Sequence, residues 1–176
     1  MTVTSSLIDE LKQEADGTRR ALERAPEERL TWRPHPKSMS LGELALHIAQ
    51  VPGGVARLLD GPTGEAPDFS AARPEATSRS ELLAALDESI EYATARLTAW
   101  GDEGLMAEWR LTRNGETLMA LPRIGMTRSI MLNHWYHHRG QLLVYLRLLD
   151  VPVPAIYGDS ADEEPAFARQ RNASPA

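Results

Sequence analysis

Three of the five histidines in the chain lie within one stretch, residues 127–149, with the sequence TRSIMLNHWYHHRGQLLVYLRLL. Apolar residues recur through this stretch at helical spacing, so it is predicted to form an α-helix. His134 and His138 are four residues apart, which places them one turn from each other on the same face of such a helix. Two imidazoles at this spacing can bind one metal ion, although two hydrogen-bonded core histidines would show the same spacing.

A metal site of the catalytic zinc type needs three protein ligands and one open position, so a third ligand is expected from another helix. His47 borders the apolar stripe of a second predicted helix, which begins after Ser40 and continues to about Leu59. The candidate ligands are therefore His47, His134 and His138. An edge histidine that makes a single hydrogen bond is the alternative interpretation of His47. Glu43 is explained as a helix cap, because it follows Ser40 by three residues.

Polar residues around the histidine pair are candidates for supporting roles. Gln141 and Tyr145 lie on or beside the face of the pair, where they are predicted to orient a bound water molecule or a substrate. Arg139 is predicted to point away from that face and to form an ion pair at the surface or at an interface. His137 projects about 100° from its neighbour His138, so it is not predicted to be a ligand.

Amphipathic helices account for most of the chain. Apolar periodicity and capping residues predict four of them, from Ser6 to Pro26, from Ser40 to about Leu59, from Ser78 to about Trp100, and from Pro122 or Thr127 to Leu149. Pro52 interrupts the second helix, but the apolar phase continues across it, so one kinked helix is predicted. Residues 60–76 are rich in Gly, Pro and Ala, and a connection of this length suits a crossover between parallel helices.

The segment from Glu108 to Leu121 does not have the pattern of a helix. Its central Asn114-Gly115 is flanked by short alternating segments, which predict a small hairpin or an extended excursion. A central sheet is not expected. The predicted fold class is all-α, a four-helix bundle with a long crossover between helices two and three. The bundle domain is predicted to cover residues 1–158, and residues 159–176 are predicted to form a flexible tail.

Composition excludes several classes of function. The 176 residues carry a net charge of -6, and their basic residues are scattered, which argues against binding to nucleic acid. The absence of cysteine excludes disulfides and a cysteine nucleophile, so any thiol chemistry must use an external thiol. Neither a leader sequence nor a membrane-spanning apolar run is apparent, so a cytoplasmic protein without membrane association is expected.

Two segments, LTWRPHPKSMSLGELALHIA (30–49) and NHWYHHRGQLLVYLRLLDVPVPAIYG (133–158), together resemble the DinB/YfiT family of small bacterial metal-binding bundles. The resemblance implies an up-down-down-up bundle that is frequently a homodimer. It also implies a divalent ion of the zinc, nickel or iron type, held by one histidine from helix two and an HxxxH pair from helix four. Carried over to this sequence, those ligands are His47, His134 and His138.

The reaction is left open by this resemblance. Some relatives transfer low-molecular-weight thiols such as bacillithiol, mycothiol or glutathione, and others act as hydrolases or have no assigned reaction. The first hypothesis is a metal-dependent thiol transferase with a small-molecule substrate. The alternatives are a metal-dependent hydrolase, a non-catalytic metal-binding stress-response protein, and a small-molecule binding module. Since the ligands must be neutral, metal affinity is predicted to fall as the pH drops through about 6.5.

Overall fold

The computed structural model describes residues 1–68, 70–165 and 168. Within these residues the chain forms four long helices and a small three-stranded sheet. The first three helices are α1 (Val3–Leu22), α2 (Leu41–Leu58) and α3 (Arg79–Met106). The fourth, α4, runs through three consecutive helical segments, Arg123–Met126, Thr127–Asn133 and His134–Leu148. A short 3₁₀ turn, Glu27–Arg29, follows α1.

The helices pack in a cyclic order that differs from their order along the chain. Helix α1 packs on α3, α3 on α2, and α2 on α4, while α1 and α2 make few contacts with each other. In this order the connections from α1 to α2 and from α3 to α4 cross the bundle, whereas α2 and α3, which the long connection joins, are neighbours. Apolar side chains from all four helices form one continuous core. This packing brings α2 and α4, the two histidine-bearing helices, side by side.

The sheet adds an element that the all-α prediction leaves out. Its strands are β1 (Thr63–Glu65), β2 (Glu108–Arg113) and β3 (Glu116–Pro122). The predicted hairpin is confirmed, because β2 and β3 are antiparallel and turn at Asn114 and Gly115, which have φ of 51° and 83°. Strand β1 lies within the crossover and pairs in parallel with β2.

Strand β1 was not predicted, because it is stabilised by packing and its residues have no strong β-propensity. A Cβ atom on its central residue, Gly64, would lie 2.6 Å from the ring of Trp109 and from the carbonyl oxygen of Leu58. The absence of a side chain therefore lets the crossover pack directly on the buried indole of β2. Three residues of the type Thr-Gly-Glu carry no signal of this close approach.

Helix α3 extends past its predicted end near Trp100. Gly101, with φ of 57° and ψ of -173°, interrupts the helical conformation, and the helix then continues to Met106. This break brings the Asp102 carboxylate to the N-terminus of α1, where Oδ1 accepts hydrogen bonds from the amide and hydroxyl of Thr4 at 2.8 and 2.6 Å. These hydrogen bonds hold the pKa of Asp102 below its usual value. The kink thus lets α3 cap α1.

The predicted tail lies partly outside the described residues. Its described portion, residues 159–165, contacts the bundle through ion pairs of Asp162 with Arg147 and of Glu163 with Arg20 and Arg24. None of the described helices combines the length and the apolar character that a membrane crossing requires.

Candidate metal centre

The side chains of His47, His134 and His138 meet between α2 and α4. Their potential ligand atoms all lie within 4.8 Å of one another, and the three imidazole rings are nearly perpendicular in every pair. Among the described residues, this is the group of histidine and carboxylate side chains whose geometry could hold a metal ion. The structure therefore brings together all three residues that the sequence analysis selected.

One distance tests the fit of these residues to a shared ion. The Nε2 atoms of His47 and His134 are 3.2 Å apart. Two nitrogens that each bind zinc at about 2.0–2.1 Å, with a tetrahedral angle between them, are separated by about 3.3 Å. The observed spacing matches this value with little adjustment, and three imidazoles form a donor set suited to zinc, nickel or iron. The residues present therefore fit a divalent transition metal.

The orientation of His138 is set by a residue that the sequence analysis gave a different role. The Nδ1 atom of His138 lies 2.7 Å from Oε1 of Gln141. Since an amide oxygen only accepts hydrogen bonds, Nδ1 carries the hydrogen and Nε2 keeps its lone pair. Gln141 therefore selects the tautomer that a ligand needs, and its role toward a bound water or a substrate stays a prediction. Its position three residues after His138 was the available signal.

A proline and a tryptophan align the two helices at the site. Pro52 has no N–H, so the carbonyl of Ile48, four residues earlier, has no helical partner. The indole Nε1 of Trp135 donates to this carbonyl at 2.8 Å. Ile48 adjoins His47, and Trp135 adjoins His134, so the hydrogen bond joins the immediate neighbours of two candidate ligands. Pro52 thereby leaves free the acceptor that positions α4 against α2.

The histidine pair begins where α4 changes its helical form. Thr127–Asn133 is a π-helical segment, and the amide of His134 donates to the carbonyl of Ser129, five residues earlier. A wider turn shifts the phase of the residues that follow it, and such segments occur frequently at functional sites. His134 and His138 both lie in the regular α-helical segment after this turn, so their four-residue spacing retains its predicted meaning.

The most buried face of α4 is adjacent to the face that bears the histidine pair. Its fully buried residues after the π-helical segment are Trp135, Arg139, Leu142 and Leu146, whereas His134 and His138 are only partly buried. The histidines therefore lie at the border between the core and a cleft.

Arg139 forms an ion pair as predicted, but its predicted location at the surface or an interface is wrong. Arg139 is 2% exposed, and its Nη2 lies 2.6 Å from Oε2 of Glu14 on α1. Its guanidinium also donates to the hydroxyls of Thr18 and Tyr157, and Tyr157 in turn donates to Glu14 at 2.7 Å. The buried charge is tolerated because it is paired and its donors are hydrogen-bonded. Arg139 joins α4 to α1 and to the segment after α4.

The predicted role of Tyr145 at the metal is not supported either. The Tyr145 hydroxyl donates to the carbonyl of Met39 at 3.2 Å, and its ring makes an edge contact with Trp32 at 5.7 Å between centroids. Tyr145 therefore holds the segment before α2 against α4. His137, in contrast, is exposed and outside the ligand group, as predicted.

The site favours neutral imidazoles. Burial lowers the pKa of His47 and of His138 to about 4, with smaller contributions from the charges of neighbouring histidines and of Arg73. Burial also lowers the pKa of His134. Proton competition with a metal is therefore expected near pH 4, not near the ordinary histidine pKa of about 6.5 used in the sequence analysis.

These pKa values predict how the stability of the metal-free protein depends on pH. Unfolded histidines take up protons below pH 6.5, whereas folded His47 and His138 remain neutral to about pH 4. The histidine contribution is therefore favourable above pH 6.5 and declines as the pH falls from 6.5 to about 4. The melting temperature of metal-free wild type should decrease over this range more steeply than that of the His47→Gln/His138→Gln variant. Parallel curves for the two proteins would contradict the assignment.

The hydrogen bond from Trp135 gives a second prediction. Trp135→Phe should lower metal affinity by about tenfold, the lower end of the range for loss of a supporting contact, because α4 loses its alignment to α2. Pro52→Ala should act in the same direction by restoring an amide that competes for the Ile48 carbonyl. Trp109→Phe is the matched control, since Trp109 is also fully buried but its Nε1 has no partner among the described residues. Equal affinity changes in the two tryptophan variants, measured by calorimetry, would refute the positioning role.

A large cleft opens beside the imidazoles. Its volume is about 890 Å³, and His47 and His134 form part of its wall. Most of the remaining wall is apolar, with contributions from α2, from the hairpin and from α4: Val51, Val55, Leu111, Leu121, Met126 and Ile130. Clefts of this size and character typically hold small molecules. The hairpin thus has a defined place in the site as one wall of the cleft.

The fold is thus a helical bundle in which three histidines converge at an apolar cleft. The chain belongs to the DinB superfamily, whose family model matches residues 10–142. The uncharacterized protein YrdA of Bacillus subtilis (strain 168) is 29% identical over 157 residues, which are 88% of this chain and 87% of that protein.

Two solved structures show the same fold. A DinB-like protein from Bacillus cereus ATCC 10987 superposes with a TM-score of 0.67 at 23% identity, covering 89% of this chain and 98% of the other. A DinB-like protein from Bacillus subtilis gives a TM-score of 0.65 at 20% identity, with 86% and 96% covered. The family membership predicted from the histidine-bearing segments is therefore confirmed.

Proposed function

We propose that this protein is a metal-dependent enzyme that joins a low-molecular-weight thiol to a small electrophile. In this proposal His47, His134 and His138 hold one divalent ion, and the electrophile occupies the adjacent cleft. The observation that carries the proposal is the convergence of three neutral imidazoles at the wall of an apolar cleft of about 890 Å³. A purely structural metal would not require such a cleft.

The ligand set determines the chemistry. A divalent ion held by three neutral imidazoles would keep its full charge. It would act as a Lewis acid and lower the pKa of a bound thiol or water. The chain's own residues keep the site ready for this role. Burial keeps the imidazoles neutral, Gln141 holds His138 in the required tautomer, and Trp135 aligns α4 with α2. The apolar wall limits water around the reacting groups.

One observation favours an external thiol over water as the nucleophile. Attack by water benefits from a nearby general base, but no carboxylate among the described residues joins the histidine group. Glu43 lines a small pocket together with His47, but its carboxylate caps α2: Oε2 accepts a hydrogen bond from the amide of Ser40 at 2.7 Å. Because the chain contains no cysteine, the sulfur in this proposal comes from a second substrate. A carbon–sulfur bond then forms and the thiol proton passes to solvent. The displaced electron pair departs with a halide, or stays on the product as an alkoxide or enolate that takes up a proton from solvent.

The test is thiol transfer by zinc- and nickel-loaded protein. Glutathione, mycothiol and bacillithiol are each offered with an aryl halide, an epoxide and an α,β-unsaturated carbonyl compound. Activity should require metal, disappear in His138→Ala and persist in His137→Ala, with circular dichroism showing that both variants remain helical. Thiol-independent cleavage of nitrophenyl esters would instead support the hydrolase alternative. A metal that only raises the melting temperature, with neither reaction above the metal-only background, would refute an enzymatic role.

A further inference from the structure

The space around the imidazoles has two parts of different character. The large part is the apolar cleft described above, and its described lining residues carry no carboxylate, lysine or arginine. The small part has a volume of about 50 Å³ and is lined by Glu43, His47, Gln50, Arg73 and Pro74. His47 and Gln50 line both parts, so the two parts are adjacent.

Arg73 is the cation that distinguishes the small part. It lies in the crossover before α3, is exposed, and has no ion pair or hydrogen bond within the described portion of the chain. The acid that shares this space, Glu43, is engaged by the amide of Ser40 and lies 3.6 Å from the guanidinium of Arg33. The charge of Arg73 is therefore uncompensated beside the histidines.

The crossover is anchored where it presents Arg73. Glu75, two residues later, accepts a hydrogen bond from the hydroxyl of Ser40, the N-cap of α2, and Ala76 is buried in the core. Gly42 allows this approach, because a Cβ atom there would lie 2.9 Å from the Glu75 side chain. Arg73 is thus held near the mouth of the site, because Glu75 and Ala76, which follow it closely in the chain, pack against the start of α2 and the core.

We propose that the site selects an amphipathic carboxylate, with its apolar body in the large cleft and its carboxylate in the small part against Arg73. The inference deepens the proposed function by naming a substrate class for the same site, and it rests on that function for the chemistry that follows binding. A volume of about 50 Å³ holds one compact polar group, since a water molecule occupies about 30 Å³. Guanidinium groups bind carboxylates with planar, charge-assisted hydrogen bonds.

Gly54 leaves open space at the wall of the large cleft, because it has no side chain. It lines the cleft from the exposed side of α2, and a Cβ atom built on it meets nothing within 4 Å. Its neighbour Gly53 has a different role, because a Cβ atom there would lie 2.9 Å from the backbone of Ser89 on α3. A large side chain at Gly54 would therefore enter the cleft without disturbing the packing of the helices.

The experiment compares 4-phenylbutyrate with 4-phenylbutan-1-ol, which has the same apolar body and no charge. Binding to wild type and variants is measured by calorimetry, both with zinc and in metal-free protein. Wild type should bind the carboxylate at least tenfold more tightly than the alcohol. Arg73→Gln should remove most of this preference and leave alcohol binding unchanged. Gly54→Phe should weaken both ligands at least tenfold.

Gly140→Phe is the matched control for the cleft variant. Gly140 is an exposed helical glycine that also has nothing within 4 Å of a built Cβ, but it does not line the cleft. Wild-type binding by Gly54→Phe, or an unchanged carboxylate preference in Arg73→Gln, would overturn the inference. If both substitutions change ligand binding in metal-free protein as expected, the inference holds even if zinc does not bind. The inference and the proposed function can therefore fail independently of each other.

Discussion

Replacing His138 by alanine should lower the affinity for zinc by more than about 100-fold. Loss of a supporting partner alone costs a metal site about 10- to 100-fold, and this substitution removes a ligand atom itself. The two remaining imidazoles, His47 and His134, would also lose the geometry of three converging donors. Calorimetric titration of metal-free protein at pH 7.5 measures the change directly. His47→Ala should have a comparable effect, since it removes the ligand supplied by α2.

The neighbouring histidine offers a close control. The ring of His137 lies only 5.1 Å from that of His138, measured between centroids, but it is exposed and outside the ligand group. His137→Ala should therefore bind zinc with wild-type affinity and stoichiometry. Loss of metal in His137→Ala, or unchanged affinity in His138→Ala, would show that the ligand assignment is incorrect.

The three histidines were predictable because their relationship depends on local rules. A four-residue spacing within a regular helix places His134 and His138 together whatever the rest of the fold does. His47 was found because it borders the apolar stripe of its own helix. The supporting residues were harder to find, since the role of Trp135 becomes visible only when α2 and α4 are side by side. Arg73 lies in the connection between α2 and α3, and the sequence of an irregular segment does not indicate which way its side chains point.

The fold shows the same division between local and distant causes. Capping residues and apolar periodicity predicted the four helices, and Asn114-Gly115 predicted the hairpin. The pairing of β1 with β2 was missed because it depends on contact between Gly64 and Trp109, which are far apart in sequence. The break at Gly101 was taken for a helix end, since sequence does not show that α3 resumes there. Homodimerisation and cytoplasmic location stay predictions.

The error on Arg139 has the same origin. A charged residue on a helix is normally exposed, and its burial here depends on Glu14 at the facing position of α1. Their side chains are 3% and 10% exposed, respectively, and the pair is extended by the hydroxyls of Thr18 and Tyr157. Nothing in the local pattern of α4 identifies that partner. The ion pair fixes α4 at the residue next to His138, so its removal is expected to affect both stability and the metal centre.

Arg139→Met should lower the free energy of unfolding by about 3–5 kcal/mol, because it leaves the carboxylate of Glu14 buried without its counter-charge. For a chain of this size the melting temperature should then fall by about 6–20 °C. The double variant Glu14→Leu/Arg139→Met should recover most of this loss, since it removes both buried charges and retains apolar volume. Chemical denaturation of the metal-free proteins would provide the free energies.

The matched control is Arg128→Met on the same helix. Arg128 also pairs with a glutamate of α1, at 2.6 Å from Glu10, but the two side chains are 49% and 31% exposed. Water already screens this pair, so its loss should change stability by less than about 1 kcal/mol. If Arg139→Met were no more harmful than Arg128→Met, burial would not be the source of the effect. If the double variant were as unstable as Arg139→Met, the cost would lie in lost hydrogen bonds to Thr18 and Tyr157 and not in the unpaired carboxylate.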